Sequence, residues 1–221
     1  MVGRWAVGHT RAYALGCGVG LQFLLHYGFT IECNREADDK CQNEIDVRLT
    51  LDANDRLYEK RSYYVSSSRA YRITMNHEDR GTSDAMAYLR VCAANEDDLT
   101  AFSRGFQHSV ISAANELRAI RKMAEFAKTK LATYPTQIEE DTARLAGDEL
   151  DPFSNERHAI IVIRGEKEIL HFYVALADAA AKVLSLEPSQ RKQVLRDQYS
   201  GDTDITRFLQ AVNRALMCKG Y

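Results

Sequence analysis

From about Ser154 to Leu186 the chain carries a helical hydrophobic period that no proline interrupts. A helix of that length is the strongest constraint on the fold, because it must bury an apolar stripe against other helices over many turns. Within it, Arg157 to Leu170 reads Arg-His-Ala-Ile-Ile-Val-Ile-Arg-Gly-Glu-Lys-Glu-Ile-Leu. At about 100° per residue, Ala159, Ile163, Leu170, Tyr173 and Ala177 share one face, with Glu166 in its middle. A carboxylate in that position needs a partner. Arg121 and Lys128, at the edge of the apolar stripe of an Asn115–Leu131 helix, are the expected cations, in a structural ion pair with Glu166. The run Ile160-Ile161-Val162-Ile163 would also suit a buried strand. The period continues to Leu184, so a helix is the reading adopted.

Other helices follow from local signals. Ser83 caps a segment running to about Ala93, and Asn95 caps another whose Glu96, Asp97 and Asp98 sit at the positive end of the helix dipole. Thr136 and Glu139 form an expected capping box, with Glu139-Glu140-Asp141 in the first turn. Pro188 opens a further helix, and a last one after Asp202 places Ile205, Phe208, Leu209, Val212 and Leu216 on one face. Strand patterns are few: Ile45, Val47, Leu49 and Leu51 alternate with polar residues, and Tyr71, Ile73 and Met75 repeat the pattern more briefly.

Composition narrows the function classes. The 221 residues are 45% hydrophobic and 27% charged with a formal net charge of −2, which gives no bulk electrostatic case for nucleic acid or a membrane surface. No apolar run is long enough to span a bilayer. Five scattered cysteines (Cys17, Cys33, Cys41, Cys92, Cys218) suit reduced thiols in a cytoplasmic or nuclear protein. Cys33 and Cys41 with Cys17 or His26 lack the paired spacing of a zinc site, so no metal is expected. Gly16-Cys17-Gly18-Val19-Gly20 follows no strand pattern and is read as irregular lead-in rather than a nucleotide loop.

Several stretches together resemble one family. Arg164-Gly165-Glu166-Lys167 before Ile169-Leu170, Leu89-Arg90-Val91-Cys92 before Glu96–Leu99, Asn115-Glu116, and Tyr134 to Asp141 are similar to the helical domain of SET-type protein-lysine methyltransferases of the Rubisco large-subunit methyltransferase class. Phe23-Leu24-Leu25-His26-Tyr27-Gly28-Phe29 resembles the segment closing the SET fold, and Asp55-Arg56-Leu57 fits the excursion leading out of it. The resemblance implies a mainly α chain, in which a helical substrate-binding domain follows a small α+β remnant of a SET fold. Its divisions are an irregular lead-in at 1–20, the end of the SET-like domain at 21–80 and the helical domain at 81–221.

The same resemblance implies a protein substrate, S-adenosyl-L-methionine as methyl donor, and Tyr27 as a wall of the target-lysine pocket. A plastid location is open to such a family as well. Departures from the pattern are equally visible. Tyr13 is followed by Ala14, Val19-Gly20 stand where the family has Ser-Asn, and Asn76-His77 lies downstream of Tyr27 instead of upstream. The chain is therefore expected to be the C-terminal portion of such an enzyme, with no donor binding by this chain alone. A non-catalytic protein-binding module derived from the family is the alternative.

Overall fold

The computed structural model describes residues 43–102, 109–201 and 203–218. Tyr27, Cys17, Cys33, Cys41, His26, Tyr13 and the Gly16–Gly20 cluster lie outside the described residues. Among the described residues the chain is mainly α with one small sheet. Its elements are β1 (Ile45–Thr50), α1 (Tyr58–Ser62), β2 (Ser68–Ile73), α2 (Arg80–Cys92), α3 (Glu96–Ala101), α4 (Ala113–Leu131), α5 (Ile138–Ala146), α6 (Asn155–Leu184), α7 (Pro188–Asp197) and α8 (Asp204–Met217).

Two compact units divide the chain, one of 1–46 with Pro135–Ile169 and one of Val47–Tyr134 with Leu170–Tyr221. In the larger unit β1 pairs with β2, and alternate residues Val47, Leu49 and Tyr71, Ile73 are buried, as period-two patterning requires. Helix α2 packs on β2 and on α4. That packing depends on Gly81. A Cβ there would come within 1.9 Å of the Arg72 carbonyl oxygen, so the first turn of α2 approaches the β2 backbone as no other residue allows. The helix also begins earlier than Ser83. Asp79 is the N-cap, its carboxylate accepting from the Thr82 amide at 3.1 Å, because an acceptor three residues ahead reaches an orphan N–H.

Helix α4 buries Ala119, Ile120, Met123, Ala124 and Ala127, a stripe at three- and four-residue spacing. A second cluster of Leu57, Val91, Ala94, Leu99, Phe102 and Ile111 closes the other side of α2. Tyr173, fully buried, donates its hydroxyl to the Thr74 carbonyl at 2.7 Å, joining the later half of α6 to the end of β2. Helix α8 buries Phe208, Leu209, Val212 and Leu216 and packs on α7. Its cap is Thr203, whose hydroxyl accepts from the Thr206 amide.

The smaller unit is built on α5 and the first half of α6, with Leu145, Ile160 and Ile161 as its apolar cluster. The buried face of this half of α6 is rotated from the expected stripe. Ile160 and Ile161 are buried, whereas Ala159, Ile163 and Glu166 are half-buried. The enclosed charge is Lys167, 1% exposed. Helix α5 starts one residue later than the Thr136–Glu139 pairing implies: Gln137 is the N-cap, and its amide donates to Glu140 at 3.2 Å. Thr136 is drawn instead to a buried carboxylate, described next.

Candidate functional site

Residues that carry the sequence signature converge in two buried polar networks. In the smaller unit the Thr136 hydroxyl donates to Asp141 Oδ1 at 2.7 Å, and Lys167 Nζ donates to Thr136 Oγ1 at 2.8 Å and to Asp141 Oδ2. Lys167 and Asp141 are 1% and 2% exposed, so this is an enclosed ion pair rather than a solvated contact. An enclosed pair adds little net stability over apolar packing, but leaving one member alone is costly. Asp141 thus sits in the acidic first turn of α5 with a different task from Glu140. One ties α5 to α6 and the other caps the helix.

In the larger unit Arg90 grips Glu116 with two hydrogen bonds, Nε to Oε2 at 2.6 Å and Nη2 to Oε1 at 3.0 Å. The flat guanidinium fork matches a carboxylate in this way, and a point-charge ammonium would not. Glu116 is fully buried. Its neighbour Asn115 donates to the Arg90 carbonyl at 3.0 Å and to Asp98 Oδ2 at 3.4 Å. Asp98 also closes a capping box with Asn95, each backbone amide donating to the other's side chain at 2.8–2.9 Å. Arg118 pairs with Asp98 and donates to the Ala93 carbonyl at 2.9 Å. Helices α2, α3 and α4 are therefore locked by one connected set of charge-assisted bonds.

These bonds engage Arg90, Asp98, Asn115, Glu116, Thr136, Asp141 and Lys167 within the fold. A cleft of about 220 Å³ lies between β2 and α2, lined by Tyr64, Arg69, Tyr71, Asp84 and Tyr88 among others. Tyr88 donates its hydroxyl to the Ser66 carbonyl at 3.0 Å, and the rings of Tyr71 and Tyr88 meet edge to face at 5.7 Å. Burial raises the phenol pKa of both tyrosines, so they remain neutral donors at physiological pH. Tyr63 beside the cleft is 86% exposed and stands edge-on to Tyr64. Exposed tyrosines of this kind supply much of the contact energy where proteins meet. Four residues after Tyr88 on α2, Cys92 is buried and desolvation pushes its thiol up to about 11, which makes it inert.

The Tyr71 wall of the cleft does not fit the sulfonium of S-adenosyl-L-methionine. The Arg69 guanidinium lies 5.3 Å from the Tyr71 ring centre, so the aromatic wall that could face a sulfonium already faces a cation. Among the described residues no group of three metal-ligating side chains is assembled, and no helix is long and apolar enough to cross a membrane.

Of the residues singled out from sequence, Glu166 is half-buried, whereas Arg121 and Lys128 are exposed on α4. Tyr27 falls outside the described residues. Lys167 was missed as a buried charge. Its apolar neighbours Ile163, Ile169 and Leu170 gave the only hint, since a lysine beside such a stripe ordinarily reads as its solvated edge.

A family model described as Rubisco LSMT substrate-binding matches residues 52–170, more than half of the chain. Actin-histidine N-methyltransferase from Canis lupus familiaris is 27% identical over 173 residues, covering 72% of this chain and 28% of that protein. The Homo sapiens protein of the same description is 26% identical over 165 residues, covering 67% of this chain and 26% of its own length. The chain thus spans just over a quarter of the curated relatives it matches. Among solved structures, Rubisco LSMT bound to AdoMet superposes with a TM-score of 0.55 at 23% identity, over 84% of this chain and 44% of that one. The SET domain of LSMT bound to lysine and AdoHcy gives 0.57 at 22%, over 81% and 41%. At these identities the likeness speaks for the fold.

Proposed function

Because this chain belongs to the Rubisco LSMT substrate-binding family, we propose that it holds a protein substrate for methyl transfer from S-adenosyl-L-methionine to a lysine or histidine side chain. The match over residues 52–170 carries the reading. The geometry supports it in a specific way: buried ion pairs fix α2, α3 and α4 as a rigid body, and the tyrosine-lined cleft lies on its surface. A rigid platform with exposed aromatic contacts suits recognition of a folded protein.

The chemistry that such a platform serves is an in-line displacement at a sulfonium methyl. A lysine amine, which ordinarily titrates near ~10.4, must lose its proton first, whereas a histidine ring at ~6.5 is already largely neutral. A narrow tyrosine-walled channel favours the neutral amine by desolvation. Tyr27 is the residue this reading assigns to that wall. Residues 21–80 would end the SET-like fold and 81–221 form the substrate-binding domain. The relatives' names point to histidine in actin, and the structures to lysine, as the two target chemistries to compare.

Quantitative mass spectrometry of methyl-lysine and methyl-histidine, in cells with and without the gene, tests the proposal. At least one protein should lose methylation when the gene is removed and regain it with the wild-type gene but not with Tyr27→Phe. An unchanged set of methyl-lysine and methyl-histidine sites would contradict methyl transfer.

A further inference from the structure

Helices α7 and α8 lie beyond the matched segment, and the groove between them is lined by Lys192, Leu195, Arg196, Gln210, Asn213 and Arg214, with a volume of about 330 Å³. No carboxylate among the described residues lines it. Its three cations are exposed, and none is engaged in an ion pair among the described residues. Of the described acids on the two helices, Asp197 accepts from Gln193 Nε2 at 2.6 Å, and Asp204 faces Arg207 at 3.7 Å. Asn213, which lines the groove, has a buried amide oxygen without a hydrogen bond, an acceptor open to a backbone N–H. Three exposed cations without ion-pair partners among the described residues give the groove the charge complementary to an anionic occupant.

We propose that this groove docks an acidic, extended segment of a partner protein. Lys192 and Arg196 are four residues apart on one helix, a rise of about 6 Å. Alternate residues of an extended chain are separated by about 6.6 Å, so carboxylates at positions i and i+2 meet both cations. Arg214 faces them from α8, Gln210 supplies an amide for the peptide backbone, and Leu195 gives the methylene stems an apolar floor. The whole chain carries a net charge of −2, so the basic character is local to this groove, in contrast to the broad positive surface that binds a nucleic-acid backbone. The proposal is independent of methyl transfer, since its residues fall outside 52–170.

Fluorescence anisotropy with the full chain tests it, using a fluorescein-labelled peptide of alternating Glu and Ser and its Gln-for-Glu counterpart. The acidic peptide should bind, weaken with added salt, and lose about tenfold in affinity on Lys192→Glu with Arg196→Glu, and again on Arg214→Glu. The neutral peptide should not bind. Circular dichroism of these variants should match the parent, as all three positions are exposed. Absent binding of the acidic peptide, or binding indifferent to the substitutions, would overturn the proposal. So would poly(U) RNA bound equally well and lost in the same variants, or self-association of the chain abolished by them in sedimentation. None of these outcomes bears on the methylation readout.

Discussion

Within residues 52–170 the charged side chains Arg90, Asp98, Glu116, Asp141 and Lys167 turn inward and find one another, whereas after residue 170 Lys192, Arg196 and Arg214 stay at the surface without partners among the described residues. The difference separates two uses of charge. Inward charges fix how helices meet, because an enclosed ion pair tolerates only one geometry. Outward charges contribute little to folding and remain available to another molecule. A family's sequence signature can therefore mark the residues that fix how its helices meet.

The contrast can be broken most strongly from the inside. Glu116→Ala strands the Arg90 guanidinium, and Lys167→Ala strands the Asp141 carboxylate. Each should lower the stability of its region by about 3–5 kcal/mol, measured by urea denaturation. Losses under about 1 kcal/mol would mean that water reaches these pairs. Gly81→Ala should cost about 1–3 kcal/mol, because its Cβ would meet the backbone oxygen of Arg72 rather than a movable side chain. Full stability in that variant would show that α2 can shift away from β2. At the other extreme, Lys192→Glu, Arg196→Glu and Arg214→Glu should each leave stability within about 0.5 kcal/mol. A larger loss would make the groove part of the fold rather than a docking surface.

Much of the architecture is legible in the sequence. Strand β1 shows in the alternation of Ile45, Val47, Leu49 and Leu51, and α6 in its unbroken period, although that helix ends at Leu184 rather than near Leu186. Asn95 and Pro188 mark the starts of α3 and α7 as expected. In the smaller unit, where structure and expectation part, long-range pairing is the reason. Thr136 has the chemistry of a cap, but the Asp141–Lys167 pair captures its hydroxyl, and Gln137 takes the capping position. The buried face of α6 could not be placed to one residue, because Lys167 pairs across 26 positions of sequence and no periodicity encodes that partner. The family signature is recognisable in Asn115-Glu116 and Tyr134–Asp141, yet its meaning is not. Only the geometry shows that these residues hold helices together.

A double-mutant cycle at Arg90 and Glu116 tests this meaning most directly. Urea denaturation would compare the parent with Arg90→Met, Glu116→Leu and the pair together. The account predicts that the double variant is more stable than the sum of the single losses implies, with a coupling of about 2–3 kcal/mol, because replacing both partners leaves no charge stranded. Additive losses, with coupling under about 0.5 kcal/mol, would contradict the claim that the signature residues act as one buried lock.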